Sequence, residues 1–509
     1  MAGPSQDLEA VMSRESKREA DVQVIEAQSP ILTKSWLDKT LKFLSASGIE
    51  LRGVQPVPEN LRTDSAFNKV FTIWCTSLIC PLPIVTGIAG TLSFGISLQN
   101  TALFCIFFSL LLCIPPAYIC TIAPRTGLRQ MIQARYTFGM YPNILIAALN
   151  MTTLAGYQII TLVAAGQILA AVADNHISQT VGIVIIAICA MIPAFWGFQF
   201  LHHYARWAWI PALIAIVITA GAGGSKLKHQ APTQPLTAPT AITFISLIAG
   251  YMLSYSSVIG DVAVYLGPKA PSWRIFFYAW LGICLPSIFL MVLGAAIGGA
   301  VPSVPRWAAA NERDAVGGIL VAMLEPLGGF GKFVAVLLAF SIVGQISPGF
   351  YFVSLNFQII WPGFAKIPRI LFVVAITAVD IGIGIKAAQS FFNSLEDFLG
   401  IIGYWSAAFV GIMLTEWLYF RRAKPESYDH AIWNDARALP SGLPAILAFL
   451  LPFALVVPSM SEVWYTGPIA KHTGDLGFEF ALVVSILLYL PLRMLELRMI
   501  RRWKTKDDA

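Results

Sequence analysis

The sequence predicts an all-α polytopic membrane protein of about a dozen transmembrane helices, and three observations predict it. Of 509 residues, 57% are hydrophobic and 12% charged, with mean hydropathy +0.69; an ordinary soluble domain is about 25% charged. The apolar residues fall in runs of membrane length, roughly 20 residues each. Several of those runs are broken in the middle by residues that disrupt a helix.

The runs cover 71–98, 100–122, 143–172, 179–197, 206–223, 241–266, 275–301, 332–360, 368–388, 392–419, 442–460 and 477–497. The first carries Cys80-Pro81-Leu82-Pro83 near its centre, and the run from about Phe333 to Trp361 carries Gln345-Ile346-Ser347-Pro348-Gly349. A proline inside a helix removes a backbone donor and clashes with the preceding turn. In hydrocarbon such freed groups persist only where they are buried in protein or line a cavity. Broken spans near the midplane are where secondary transporters bind solutes, although any single break also fits a packed proline kink. The sixth run starts apolar and turns polar at Ser254-Tyr255-Ser256-Ser257, with Gly250 before and Gly260-Asp261 after. The first and sixth runs each open a five-span half and each is discontinuous, the pattern of a five-plus-five inverted repeat followed by two further spans. The chain then divides into a tail at 1–70, a first repeat at 71–223, a second at 241–419, two extra helices at 442–497 and a second tail at 498–509.

An even number of spans puts both termini on one side. Of 34 lysines and arginines, 27 fall in the two tails and the alternate loops joined to them, against 7 on the other side. Basic residues concentrate on the cytoplasmic side, so both tails are expected there. The net charge of +6 follows from that bias and calls for no nucleic-acid partner, because the basic patches are short, lack interleaved aromatics and flank spans. No cleaved signal peptide is visible in the polar first 70 residues. The tail up to about Pro30 reads as disordered, and Lys34 to Ala46 as a short amphipathic helix on the membrane surface. All seven cysteines fall inside predicted spans without paired spacing and read as small apolar fillers; neither they nor the histidines form a metal-ligand set. Asn150-Met151-Thr152 matches a glycosylation sequon but lies inside the third span. It is read as a chance match.

Ionisable residues inside spans are costly and usually face a cavity or a partner. Glu416, near Arg421, reads as an interfacial structural pair. Asp380 and Lys386, six residues apart, read as a pair at the rim of the ninth span. Glu396-Asp397 opens the tenth, where acids complement the helix dipole. For Asp261, directly after the polar break, three tasks stay open: capping exposed donors, pairing with a cation, or carrying a proton.

A set of ordered blocks adds a resemblance. Ala123-Pro124-Arg125-Thr126-Gly127-Leu128-Arg129 continues to Ala134-Arg135-Tyr136-Thr137-Phe138-Gly139. Gly260-Asp261 is followed by Val264-Tyr265-Leu266. Phe398 to Trp405, Trp433-Asn434-Asp435, Leu439 to Gly442 and Gly467 to Ala470 come later. From about Asn68 to Leu497 the chain resembles the fungal purine-cytosine permeases of the nucleobase-cation-symport-1 family. The resemblance implies the LeuT-like fold of twelve spans and symport of a substrate with a cation, a proton in the fungal members. It also implies a planar heterocycle stacked between aromatic side chains of the third and sixth spans, here Tyr157 of Gly156-Tyr157 and Tyr255 of Ser254-Tyr255. Polar groups from spans one, three and eight then meet the edge of the ring, Thr76, Thr161, Gln345 and Ser347, and Ser254 beside Tyr255 completes the candidate binding set.

The chain departs from the family where amides are usual. Thr76 and Leu78 stand where the first span commonly has serine and asparagine, Thr161 where the third has asparagine, and Gln345 to Gly349 where the eighth has an asparagine-rich motif. Leucine and glycine offer a base edge no side-chain polar group, and each polar group left unpaired on burial costs roughly 1–3 kcal/mol. The expected function is therefore proton-coupled uptake of purine bases, cytosine or a related flat heterocycle by alternating access, at the plasma membrane. The alternative is a permease of the same family for vitamin B6, a nucleoside or a specialised metabolite. Asp261 is the candidate for proton coupling. No cofactor or metal is implied. A membrane enzyme would show clustered His, Asp and Glu at the interface and a channel a charged filter ring, and the sequence has neither.

Overall fold

The computed structural model describes residues 53–507 apart from Asn175, Gly197, Pro362, Ala365, Lys366 and Pro368. The expected surface helix at Lys34 to Ala46 lies outside the described residues. Helices carry the fold. Eight helical runs are long and apolar enough to cross a membrane, nine counting one bent pair as a single span, and the shorter apolar helices Gln179–Phe195 and Leu443–Ser459 accompany them among the described residues. Two of the eight runs, Pro305–Ile360 and Ile370–Phe420, hold 56 and 51 residues, more than one crossing each.

The bent pair is the first expected span. Helix α1 (Asn68–Leu78) and helix α2 (Pro81–Leu92) meet at 56° across Ile79 and extended Cys80. Pro81 falls on the first residue of α2, where its missing N–H costs nothing. The chain continues through α3 (Leu98–Leu112), α4 (Ile114–Cys120), α5 (Ile122–Thr126), α6 (Gln130–Phe138), α7 (Pro142–Val172), α8 (Gln179–Trp196) and α9 (Phe198–Gly223). Helix α10 (Ala238–Leu253) then tightens into two short 3₁₀ turns, Ser254–Ser257 and Ile259–Val262, joined by Val258. The sixth span is thus discontinuous, as expected, through tightening rather than full unwinding.

Helix α11 (Ser272–Ala300) is followed by α12 (Pro305–Leu324), two helical segments that meet at a kink at Asp314 and Ala315, which the hydropathy reading leaves unassigned because Arg306, Glu312, Arg313 and Asp314 interrupt its apolar character. The eighth span corrects the sequence expectation. A single residue of helical backbone, Ile342, separates α13 (Gly328–Ser341) from α14 (Val343–Ile360), and Pro348 stays inside α14 rather than breaking it. Proline at 348 frees the carbonyl four residues back, at Gly344; Ser77 Oγ of α1 lies 3.5 Å from that oxygen. Helices α15 (Arg369–Ala387), α16 (Phe391–Thr415), α17 (Leu443–Leu450) and α18 (Phe453–Ser459) follow. A two-stranded hairpin, β1 (Ser461–Glu462) with β2 (Tyr465–Thr466), leads through α19 (Ala470–Thr473) to α20 (Gly477–Asp507).

Two expectations about charges part ways. Glu416 takes Arg421 Nε at 3.0 Å, and also Arg493 at 3.3 Å and the Tyr489 hydroxyl at 2.8 Å. The Asp380–Lys386 rim pair is absent. Six residues advance a helix by about 600°, which puts the two side chains on different faces; Lys386 is exposed and Asp380 fully buried. The seven cysteines are all free thiols.

Close helix contact is bought with glycine. A Cβ on Gly87 of α2 would lie 1.9 Å from the Met291 carbonyl of α11, and one on Gly294 of α11 would lie 2.0 Å from the Ile84 carbonyl of α2. Small residues let backbones approach where lipid supplies no hydrophobic drive between helices. Gly294→Val is expected to abolish this crossing, with loss of the folded species in detergent measured by size-exclusion chromatography and thermal unfolding. Surface substitution of Gly221, which has open space around it, is expected to leave both unchanged.

Candidate functional site

The breaks converge on one cavity. It draws its wall from α1, α7, the Ser254–Ser257 turn and α14. Trp74, Ser77 and Leu78 come from the turn of α1 just before the first break. Tyr157 and Gln158 come from α7, Ser254, Tyr255 and Ser257 from the sixth span, and Gln345, Pro348, Gly349 and Phe352 from α14.

The aromatic walls are in contact. Tyr157 and Tyr255 stack with ring centroids 6.0 Å apart and planes 16° from parallel. Phe398 of α16 meets Tyr157 edge-on at 5.1 Å, and Trp74 meets Tyr255 edge-on at 5.4 Å. Trp74 also faces Phe352 at 6.4 Å with planes 22° apart. The Tyr157 hydroxyl is held by Ser254 Oγ at 2.8 Å and by the Tyr251 carbonyl at 3.2 Å. That pins its ring plane.

Of the seven binding residues the sequence proposes, Tyr157, Ser254, Tyr255 and Gln345 line the cavity. Thr76, Thr161 and Ser347 stand one layer behind it, with their hydroxyls donated to backbone. Thr76 Oγ1 reaches the Ala205 carbonyl at 2.6 Å, Thr161 Oγ1 the Tyr157 carbonyl at 2.6 Å, and Ser347 Oγ the Ala190 and Val343 carbonyls at 2.8 Å each. In an apolar setting, a threonine or serine on a helix satisfies its hydroxyl on the preceding turn. Asp261 is also away from the cavity wall: its carboxylate accepts the Gln130 backbone N–H at 2.7 Å, capping the first turn of α6.

Several wall residues escape the sequence reading. Trp74, whose side chain lines the cavity, has a buried Nε1 with no hydrogen-bond partner among the described residues. Gln345 places Oε1 4.0 Å from the Cys80 thiol, a weak contact. Ser257 Oγ donates to Asn150 Oδ1 at 2.6 Å, and Asn150 Nδ2 donates to Asn356 Oδ1 at 3.2 Å. This ties the 3₁₀ turn to α7 and α14 and gives the buried Asn150 a packing task, at odds with glycosylation. Gln158 stands directly after Tyr157, and its position there was the available signal.

A second cavity has a different character. Phe94, Thr243, Leu247, Glu396, Gly400, Glu462 and Asp475 line it, and Asp397 Oδ1 beside it accepts the Val463 N–H at 2.7 Å. Burial pushes the Glu462 carboxyl up to about 9 against the opposing hydrogen bond from Tyr404, with Asp475 and Asp397 adding to the rise. Its surroundings are acidic, with Phe94 the one aromatic in its wall, and they do not suit a stacked ring. The first cavity is the candidate site.

Comparison with known proteins gives the family and the fold. Residues 56–457 match the model of the permease family for cytosine/purines, uracil, thiamine, allantoin. The purine-cytosine permease FCY2 of Saccharomyces cerevisiae is 30% identical over 492 residues, covering 94% of this chain and 92% of that protein. The vitamin B6 transporter TPN1 of the same yeast is 25% identical, covering 91% and 90%. Among solved structures, Mhp1, a nucleobase-cation-symport-1 family transporter in a closed conformation with bromovinylhydantoin bound, superposes with a TM-score of 0.64 at 17% identity, over 88% of this chain and 96% of that one. The expected LeuT-like fold is thereby present. With its family model matched over most of its length, this chain belongs to the permease family for cytosine and purines, uracil, thiamine and allantoin, and it is a transporter rather than an enzyme.

Proposed function

We propose that this permease carries a flat nucleobase-like heterocycle, of the purine and cytosine class, together with a proton by alternating access. The near-parallel Tyr157 and Tyr255 rings in the wall of a cavity at the helix breaks carry this reading. An intercalated ring needs about 3.5 Å on each face, or about 7 Å between the flanking rings. The two tyrosine ring centroids are 6.0 Å apart, short of that spacing, so the solute has to part the rings to enter between them. A conformation with parted rings therefore binds the solute better than this one does. Such a difference is what lets a solute shift a conformational equilibrium.

The polar edge of the ring would meet Gln345 and the unpartnered Trp74 indole, with the Ser77 and Ser254 hydroxyls beside them. This lining is sparse in amides, which also suits a pyridine-type ring such as vitamin B6. Both termini are proposed to be cytoplasmic in the plasma membrane, on the distribution of basic residues. A terminal tag on intact cells is expected to stay out of reach of an external antibody, and labelling from outside would reverse that topology.

In a permease-null fungus expressing the chain, labelled cytosine uptake is expected to be saturable and competed by hypoxanthine. Failure of both bases alongside uptake of labelled pyridoxine would transfer the assignment to vitamin B6. Tyr255→Ala is expected to raise the KM about tenfold to hundredfold, since stacking on an aromatic contributes about 1–3 kcal/mol per base. Gln345→Leu should raise it by a similar factor. Thr161→Val should change it by less than about threefold, because its hydroxyl is spent on the Tyr157 carbonyl.

A further inference from the structure

Asp380 of α15 is fully buried and lies directly behind the cavity wall. Its neighbour is Gln158, which lines the cavity beside Tyr157. With its amide oriented to satisfy both ends, Gln158 donates Nε2 to Asp380 Oδ2 at 2.7 Å and accepts the Phe350 backbone N–H at 2.7 Å. The Phe350 donor fixes which end of the amide faces the carboxyl. Asp380 Oδ1 has no hydrogen-bond partner among the described residues.

No counter-charge is at hand among the described residues. Helices α7, α8 and α14, which pack against α15, contain no Asp, Glu, Lys, Arg or His; their titratable groups are Tyr157 on α7, Cys189 on α8 and Tyr351 on α14. On α15 itself, Lys386 is exposed on another face. No ion pair among the described residues includes Asp380. A buried carboxylate with one amide donor and no cation is expensive to hold as an anion. One proton more or less on Asp380 therefore alters the energy of the packing between α15 and the cavity wall.

We propose that Asp380 is the group that takes up and releases the transported proton, and that Gln158 ties its protonation state to the substrate cavity. A proton from water on the entry side forms the O–H bond at Oδ1. The same bond breaks to water on the exit side, so one proton crosses and no other reactant is consumed. The coupling route is short. A Cβ on Gly349 would lie 2.6 Å from the Gln158 amide, and Pro348, Gly349 and Gln158 all face the cavity. A solute that parts Tyr157 from Tyr255 moves the residue next to Gln158, and Gln158 is the amide donor to Asp380. The inference rests on the proton-coupled reading above.

The test uses the purified full-length chain in liposomes with labelled cytosine as probe. A gradient of about one pH unit supports about tenfold accumulation if one proton accompanies each solute. Asp380→Asn is expected to lose that accumulation and keep cytosine exchange between equal pools, while Asp380→Glu recovers part of the accumulation. Accumulation by Asp380→Asn at the wild-type level overturns the proposal. Asp261 as the carrier requires the reverse pair: normal accumulation in Asp380→Asn and none in Asp261→Asn. A substrate-free readout covers a variant that loses exchange as well. The pH-difference infrared spectrum of the wild type should contain a carboxylic acid C=O band that is absent in Asp380→Asn and shifted in Gln158→Leu. Identical wild-type and Asp380→Asn spectra sink the proposal. A wild type that moves no cytosine under any gradient removes the proposed function instead, and the infrared comparison still decides whether Asp380 titrates.

Discussion

Everything in this molecule answers to one constraint: a backbone polar group inside hydrocarbon has to find a partner within the protein. The chain meets it by breaking spans only where neighbours supply one. Pro81 starts a helix rather than interrupting one, the carbonyl freed by Pro348 faces Ser77, and the sixth span closes its own bonds in 3₁₀ turns. These devices draw α1, α14 and the Ser254–Ser257 turn toward one place. The cavity lies where they meet, so its position follows from where the backbone can be broken.

The same constraint sorts the polar side chains. Thr76, Thr161 and Ser347 have short hydroxyls within reach of a preceding carbonyl or a neighbouring helix, and they are used up there. Longer groups reach past the helix surface: Gln345 and Trp74 face the cavity, while Gln158 bridges to Asp380. Residue type alone does not distinguish a hydroxyl that serves the backbone from one that serves a solute. Reach and packing do.

That distinction marks what was legible in the sequence. Hydropathy and interrupted runs gave the helical membrane fold and the discontinuous first and sixth spans, because both are one-dimensional properties. The stacked Tyr157 and Tyr255 were legible through the family blocks. Trp74 was not, since a tryptophan one turn before a proline break looks like any interfacial aromatic until its indole nitrogen is found unpartnered. Asp380 was read as a partner of Lys386 from sequence distance, and helix geometry turned the two apart. Helix α12 was passed over because its charges interrupt the apolar pattern, although Trp307 before its kink and Ile319 and Leu320 after it are buried.

The contact between Tyr157 and Tyr255 has a consequence for leakage. A symporter that changes sides with its coupling ion but without cargo dissipates the gradient that drives it, and small ions slipping through an unfilled seat do the same. Here the Tyr157 and Tyr255 ring centroids stand 6.0 Å apart, closer than a flat molecule between them allows, so under the proposed function the empty seat is narrowed by the same side chains that would hold the cargo. On that proposal, tightness against slip and selectivity for flat molecules would come from one pair of side chains, and loosening that pair would trade thrift for throughput.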